Sequence, residues 1–111
     1  MRKIIIDDNP ELKAIDNGIN LEEVDIAKTC EAGIKMLSEN EKYETLYLDS
    51  VLPDGKGFDV IDWLSDHIDK VPANIFLVSF GFSSSLRPYV EALMATAKRN
   101  IENKTDYVSI T

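Results

Sequence analysis

The chain has 111 residues, 44% of them hydrophobic and 29% charged, with 5 Gly and 4 Pro. That length and balance suit one globular domain spanning 1–111 with a core of its own, and exclude two domains or a low-complexity chain. Twelve Lys and Arg against twenty Asp and Glu leave a net charge of −8, which repels phosphate backbones and anionic lipid, so neither nucleic acid nor a membrane is an expected partner.

The single cysteine, Cys30, cannot form an internal disulfide, and no Cys/His spacing suggests zinc. No apolar run approaches the ~20 residues needed to span a bilayer. Met1-Arg2-Lys3-Ile4 opens a strand rather than a signal peptide, because the apolar stretch stops after Ile6. A soluble, cytoplasmic protein is the expectation.

Residues 2–6 end in Ile4-Ile5-Ile6, β-branched and apolar on both faces, as a central parallel strand should be. Asp7 and Asp8 follow at its carboxyl end. Asn9-Pro10 marks a turn, and residues 11–20 show no period beyond Leu12 and Ile15. At most a short helix is expected there, broken by Asn17-Gly18. Residues 23–28 alternate through Val24 and Ile26 as a second strand, at the sheet edge. Thr29 is a candidate N-cap, and Cys30, Gly33, Ile34 and Leu37 fall on one helical stripe. Cys30 is therefore read as a core thiol, and the helix should end near 38–40.

A buried strand at 45–49 closes on Asp49. Pro53, Asp54, Gly55 and Gly57 then supply turn chemistry within five residues. A helix over 57–68 comes next, burying Val60, Ile61, Leu64 and Ile68 on one face. Trp63 lies on its flank, and His67, the only histidine, reads as a surface residue near its end. Pro72 breaks the chain before a fourth strand, residues 74–79, which closes on Ser79. The loop Phe80-Gly81-Phe82-Ser83-Ser84-Ser85 has two readings: serines capping the next helix, or a cover over the sheet edge with hydroxyls for a ligand. Leu86, Tyr89 or Val90, Leu93, Ala97 and Ile101 mark a long helix, and Tyr107-Val108-Ser109-Ile110 a fifth strand.

Strands alternating with helices give parallel β-α-β units with right-handed crossovers, and open α/β sheets bind ligands at the carboxyl edge. Asp7, Asp8, Asp49 and Ser79 all stand at that edge. Three carboxylates held together repel unless a cation compensates, and an oxygen-only set suits Mg²⁺, which is commonly held by one or two carboxylates plus waters. A phosphoryl group beside Asp49 would complete such a site, with Asp49 itself a candidate nucleophile forming an aspartyl phosphate. The alternative is a polar rim without chemistry.

Ile4-Ile5-Ile6-Asp7-Asp8, followed by Leu48-Asp49-Ser50-Val51-Leu52-Pro53-Asp54-Gly55-Lys56-Gly57, resembles a response-regulator receiver domain, over nearly the whole chain. The resemblance implies a flavodoxin-like α/β fold with a five-stranded parallel sheet of order 2-1-3-4-5. It also implies Mg²⁺ on Asp7, Asp8 and Asp49, a phosphoryl group on Asp49 in signal transduction, and Ser79 contacting that group. Three departures stand out. Ile110 occupies the position at the end of the fifth strand where receivers carry a lysine, and Lys104 precedes that strand. The first helix is degenerate. The last helix, in receivers usually a partner-binding face, is missing; a stand-alone receiver-like domain is the expectation.

Residues 49–64, ending Asp59-Val60-Ile61-Asp62-Trp63-Leu64, and the helix from Thr29 to Leu37 are most similar to the cyclic-phosphate-processing receiver-like subgroup. That subgroup's His and second Asp after the strand-three Asp are replaced here by Ser50 and Val51, and its His-Ser-x-Asn-like run reads Val78-Ser79-Phe80-Gly81, so its acid-base histidines are absent. Two functions emerge as expectations: a Mg²⁺-assisted site that receives phosphate on Asp49 or acts on a phosphate ester, or a catalytically silent receiver fold used as a binding module. The fifth strand, left partly uncovered, is expected to contact a protein partner or a second copy through its edge.

Overall fold

The computed structural model describes residues 2–78, 83–100 and 107–110. In chain order the elements are β1 (Lys3–Ile6), α1 (Pro10–Asn17), β2 (Val24–Ala27), α2 (Cys30–Glu39), β3 (Thr45–Leu48), β4 (Val51–Leu52), β5 (Gly55–Lys56), α3 (Gly57–Ser65), β6 (Asn74–Leu77), α4 (Ser83–Asn100) and β7 (Tyr107–Ile110). Single 3₁₀ turns at Leu21–Glu23 and Ile68–Lys70 complete the set.

Five strands form one parallel sheet of order β2-β1-β3-β6-β7. Apart from the two-residue ribbon β4–β5, which pairs antiparallel with itself, this is the expected 2-1-3-4-5 arrangement of a flavodoxin-like fold. The sheet is in flush register: Ile6 pairs with Ala27 and Leu48, Leu48 with Leu77, and Leu77 with Ile110. The strands therefore end level, and the residue after each strand is delivered to one common edge.

Period-2 alternation divides the strand residues between the two faces. Ile4, Ile6, Leu46, Leu48, Ile75 and Leu77 join one core cluster with Cys30 and Leu37 of α2, Val60, Ile61 and Leu64 of α3, and Leu86, Val90 and Leu93 of α4. Ile5, Tyr47 and Phe76 share the opposite register position. Ile5 is fully buried there, and the half-buried Tyr47 and Phe76 stack with ring centroids 5.4 Å apart.

Helix starts are set by their caps. Thr29 Oγ1 accepts the Ala32 N–H at 3.0 Å, as expected of an N-cap. The Asp54 carboxylate, reaching back from the β4–β5 turn, accepts the N–H groups of Cys30 (2.7 Å) and Glu31 (3.0 Å). Three orphan donors of α2 are thus satisfied, and the turn after β3 is tied to the helix after β2. α1 begins at Pro10 and ends where Gly18 enters the left-handed region (φ 66°), its N–H bonding back to Ala14.

α3 is shorter than its apolar spacing predicts. It stops at Ser65, because Asp66 and His67 donate to Trp63 and Leu64, tightening the last turn into i→i−3 bonds before the 3₁₀ turn that carries Ile68. His67 is exposed; its Nδ1–H donates to the Trp63 carbonyl at 2.8 Å, and its ring stacks on Trp63 with centroids 4.0 Å apart. Among the described residues, no helix is long and apolar enough to cross a membrane.

Candidate functional site

The carboxyl edge of the sheet is built by ladders that run one residue past the strands. The Asp7 N–H donates to Ala27 O (2.9 Å), the Asp49 N–H to Ile6 O (3.0 Å) and the Val78 N–H to Leu48 O (3.0 Å). Backbone pairing thus holds Asp7 and Asp49 in place before either side chain makes a contact. Gly57 then lets the chain fold back closely: its N–H donates to Ser50 O at 2.9 Å, and a Cβ there would collide with the Asp49 carbonyl oxygen. The helix after β3 can start so near Asp49 only because this residue has no side chain.

The expected acidic trio does come together. One carboxylate oxygen from each of Asp7, Asp8 and Asp49 lies within 4.8 Å of the others. Asp7 is fully buried and Asp49 is 6% exposed, whereas Asp8 faces solvent. Asp7 Oδ1 accepts the Asn9 N–H at 2.7 Å, fixing the turn into α1, and Asp49 Oδ1 lies 3.4 Å from its Val51 N–H donor. Ser79 and the loop 80–82 lie outside the described residues. So do Lys104 and the Ile110 side chain, although the Ile110 backbone pairs with Leu77 as its place in the fifth strand requires.

Sequence reasoning missed a fourth member, Lys13. This residue of α1 is 4% exposed, and its Nζ donates to Asp7 Oδ2 at 3.0 Å and to Asp49 Oδ2 at 3.4 Å. Burial by itself would lower the lysine pKa, but the hydrogen bond to Asp7 and the charges of Asp49 and Asp7 reverse that, so Lys13 is held above its ordinary value as an ammonium. Burial also pushes the Asp7 carboxyl above its usual range; the Asn9 N–H and Lys13 oppose that shift, and the Asp49 charge adds to it. One signal in the sequence was available. Pro10 fixes the helix start, so Lys13 comes one turn in, soon after the acidic pair.

The donor set suits a hard cation: three carboxylates, no sulfur and no imidazole, with the exposed Asp8 giving access from solvent. Lys13 partly compensates the same negative charge from inside.

Among solved structures the chain is similar to the MaeR response regulator bound to beryllium trifluoride, at 19% identity and a TM-score of 0.58, covering 90% of this chain and 98% of that one. It is similar to the response regulator TrrA from Thermotoga maritima in complex with Mg²⁺ and beryllium fluoride, at 20% identity and a TM-score of 0.60, covering 100% and 87%. The signal receiver domain of a putative Luxo repressor protein from Vibrio parahaemolyticus is similar at 18% identity and a TM-score of 0.52, covering 89% and 93%. At such identities these likenesses show the fold. No curated protein matches the sequence. The family model described as "Cyclic-phosphate processing Receiver domain" matches residues 2–84, well over half of the chain. On that match, which spans the acidic pair, Asp49 and the first four strands of the sheet, the chain belongs to the family of cyclic-phosphate processing receiver domains.

Proposed function

We propose that Asp49 accepts a phosphoryl group in a site where Asp7, Asp8 and Asp49 hold Mg²⁺. The observation that carries this reading is the convergence of three carboxylates within 4.8 Å, with Asp49 nearly buried beside the Lys13 ammonium. In the transfer an Asp49 carboxylate oxygen attacks phosphorus, and the bond from phosphorus to the donor's leaving oxygen breaks. The leaving group departs with the electron pair, as acetate does from acetyl phosphate, leaving an acyl phosphate on Asp49. Mg²⁺ would neutralise charge on the transferring oxygens. The chain's own part is positional: the β1 and β3 ladders hold the acids, and Ser79 is the hydroxyl that the likeness to receivers assigns to the phosphoryl group.

Acceptance of phosphate fits better than hydrolysis of a cyclic phosphate ester. Acceptance needs only the acids and a metal, whereas opening such an ester also needs a proton for the departing alkoxide; the one histidine of the chain is engaged with Trp63 on α3, so that task would fall to the Lys13 ammonium. A second reading, a silent receiver fold that only binds partners, is favoured by one observation. Lys13 already compensates part of the acidic charge without a metal.

The two readings separate with Mg²⁺, acetyl phosphate and beryllofluoride. A phosphate site takes up beryllofluoride only with Mg²⁺, seen by ¹⁹F NMR and by amide shifts around residue 49, and Asp49→Asn abolishes uptake. Wild-type protein that takes up none is the silent module. Its partner, or a second copy, would then be sought on the outer edge of β7, the last strand of the sheet. A single monomeric species in sedimentation velocity at high concentration removes the homodimer.

A further inference from the structure

The geometry points to Lys13 as the residue that contacts the phosphoryl group on Asp49, a cation delivered by the first helix. This inference rests on the phosphoacceptor reading and adds to it a second fixed positive charge besides the metal.

Three observations carry it. Lys13 Nζ already touches the acceptor, at 3.4 Å from Asp49 Oδ2, and its shorter bond, 3.0 Å, goes to Asp7. Phosphorylation converts the Asp49 carboxylate into an acyl phosphate and moves the negative charge outward onto the phosphoryl oxygens. An ammonium on a four-carbon stem can track that charge while keeping its bond to Asp7. Next, α1 buries Lys13 together with the small Pro10 and Ala14 while leaving its two large apolar side chains, Leu12 (41%) and Ile15 (79%), exposed. Packing alone would turn those two side chains inward. Finally, β7, the strand at the far side of the sheet, reads Tyr-Val-Ser-Ile and contains no lysine or arginine.

A salt bridge that merely stabilised the resting fold would make the same two contacts, so the test must separate phosphoryl contact from folding. Mg²⁺ affinity and beryllofluoride affinity are measured on wild type and Lys13→Met by ¹⁹F NMR and isothermal titration. The expected variant binds Mg²⁺ as tightly as wild type or more so, because one competing cation has gone from the carboxylates. At saturating Mg²⁺ it holds beryllofluoride roughly ten- to a hundredfold more weakly, the range for a lost hydrogen bond to a charged group. Equal beryllofluoride affinity in a folded, Mg²⁺-binding Lys13→Met overturns the proposal and leaves the phosphoacceptor reading intact. Parallel weakening of both ligands also overturns it, since that is the mark of a structural role.

If Lys13→Met does not fold, wild type alone decides. The ¹⁵Nζ resonance of Lys13 should move when beryllofluoride is added to Mg²⁺-saturated protein, and a resonance that stays put overturns the inference. Wild-type protein that takes up no beryllofluoride removes both readings together.

Discussion

Cys30 shows how a reactive side chain is made inert by where it sits. The thiol is 6% exposed, within the core cluster, and donates to Lys56 O at 3.3 Å. Burial raises its pKa to about 11, helped by the nearby charges of Asp54 and Asp59. The native state therefore holds the proton more tightly than the unfolded chain, whose thiol titrates near 9.0. Stability is fully present below that pH and falls as pH rises from 9 towards 11, by on the order of 2 kcal/mol. Urea unfolding at pH 8 and pH 10.5 should show this loss, and in Cys30→Ala the pH-dependent part should shrink to what other groups contribute. Tyr43, fully buried and pushed up to about 12 by burial and by its hydrogen bond to Asp25, titrates in the same direction but higher. Equal slopes in wild type and Cys30→Ala over pH 8–10.5 would refute the assignment. The Asp54 carboxyl works at the opposite end of the scale. Its bonds to the Glu31 and Cys30 N–H groups hold it below the ordinary carboxylate range. What it contributes is present above the ordinary aspartate value of 3.8 and is lost only as pH falls below that.

The strands and the later helices were readable from pattern because in them propensity, periodicity and burial agree. Ile4-Ile5-Ile6 is buried throughout, as a strand covered on both faces must be, and the Cys30–Leu37 stripe faces the core with the cap where Thr29 stands. Asp7 and Asp49 could be placed at one edge because parallel strands in flush register end level. α1 is where pattern ran out. Its only apolar period, Leu12 and Ile15, points to solvent, and its inward face carries Lys13 beside Ala14. Full burial of an Ile or Leu side chain stabilises by about 1.5–3 kcal/mol, so two residues forgo part of that while a charged one goes in. A hydrophobicity pattern cannot reveal a helix oriented by a lysine, because the compensating carboxylates lie 6 and 36 positions away in sequence. Gly57 was recognisable as turn chemistry, but its close approach to the Asp49 carbonyl emerges only in three dimensions. The ribbon of β4 and β5 is likewise set by the contacts it serves, since Asp54 between its strands caps α2.

Taken as one body, the domain concentrates like charge at a single edge of a sheet while its overall charge stands at −8. Lys13 offsets only part of the local repulsion, so the folded state should gain stability from any divalent cation that completes the compensation. A ligand that binds the native chain and not the unfolded one stabilises by mass action, about 2.7 kcal/mol at a hundred times its dissociation constant. In a domain of this size that corresponds to a rise in Tm on the order of 10 °C. Thermal unfolding monitored by circular dichroism should therefore move upward with Mg²⁺, saturate, and return with EDTA. Asp49→Asn should show a smaller rise, because one of the three ligands has lost its charge. The same experiment with added NaCl at matched ionic strength separates site binding from general screening, which acts on exposed charges only over a Debye length of ~10 Å at 0.1 M. A Tm that responds to NaCl and Mg²⁺ alike would mean that Lys13 alone is the cation of this site, and the domain would then be a binding module rather than a phosphoacceptor.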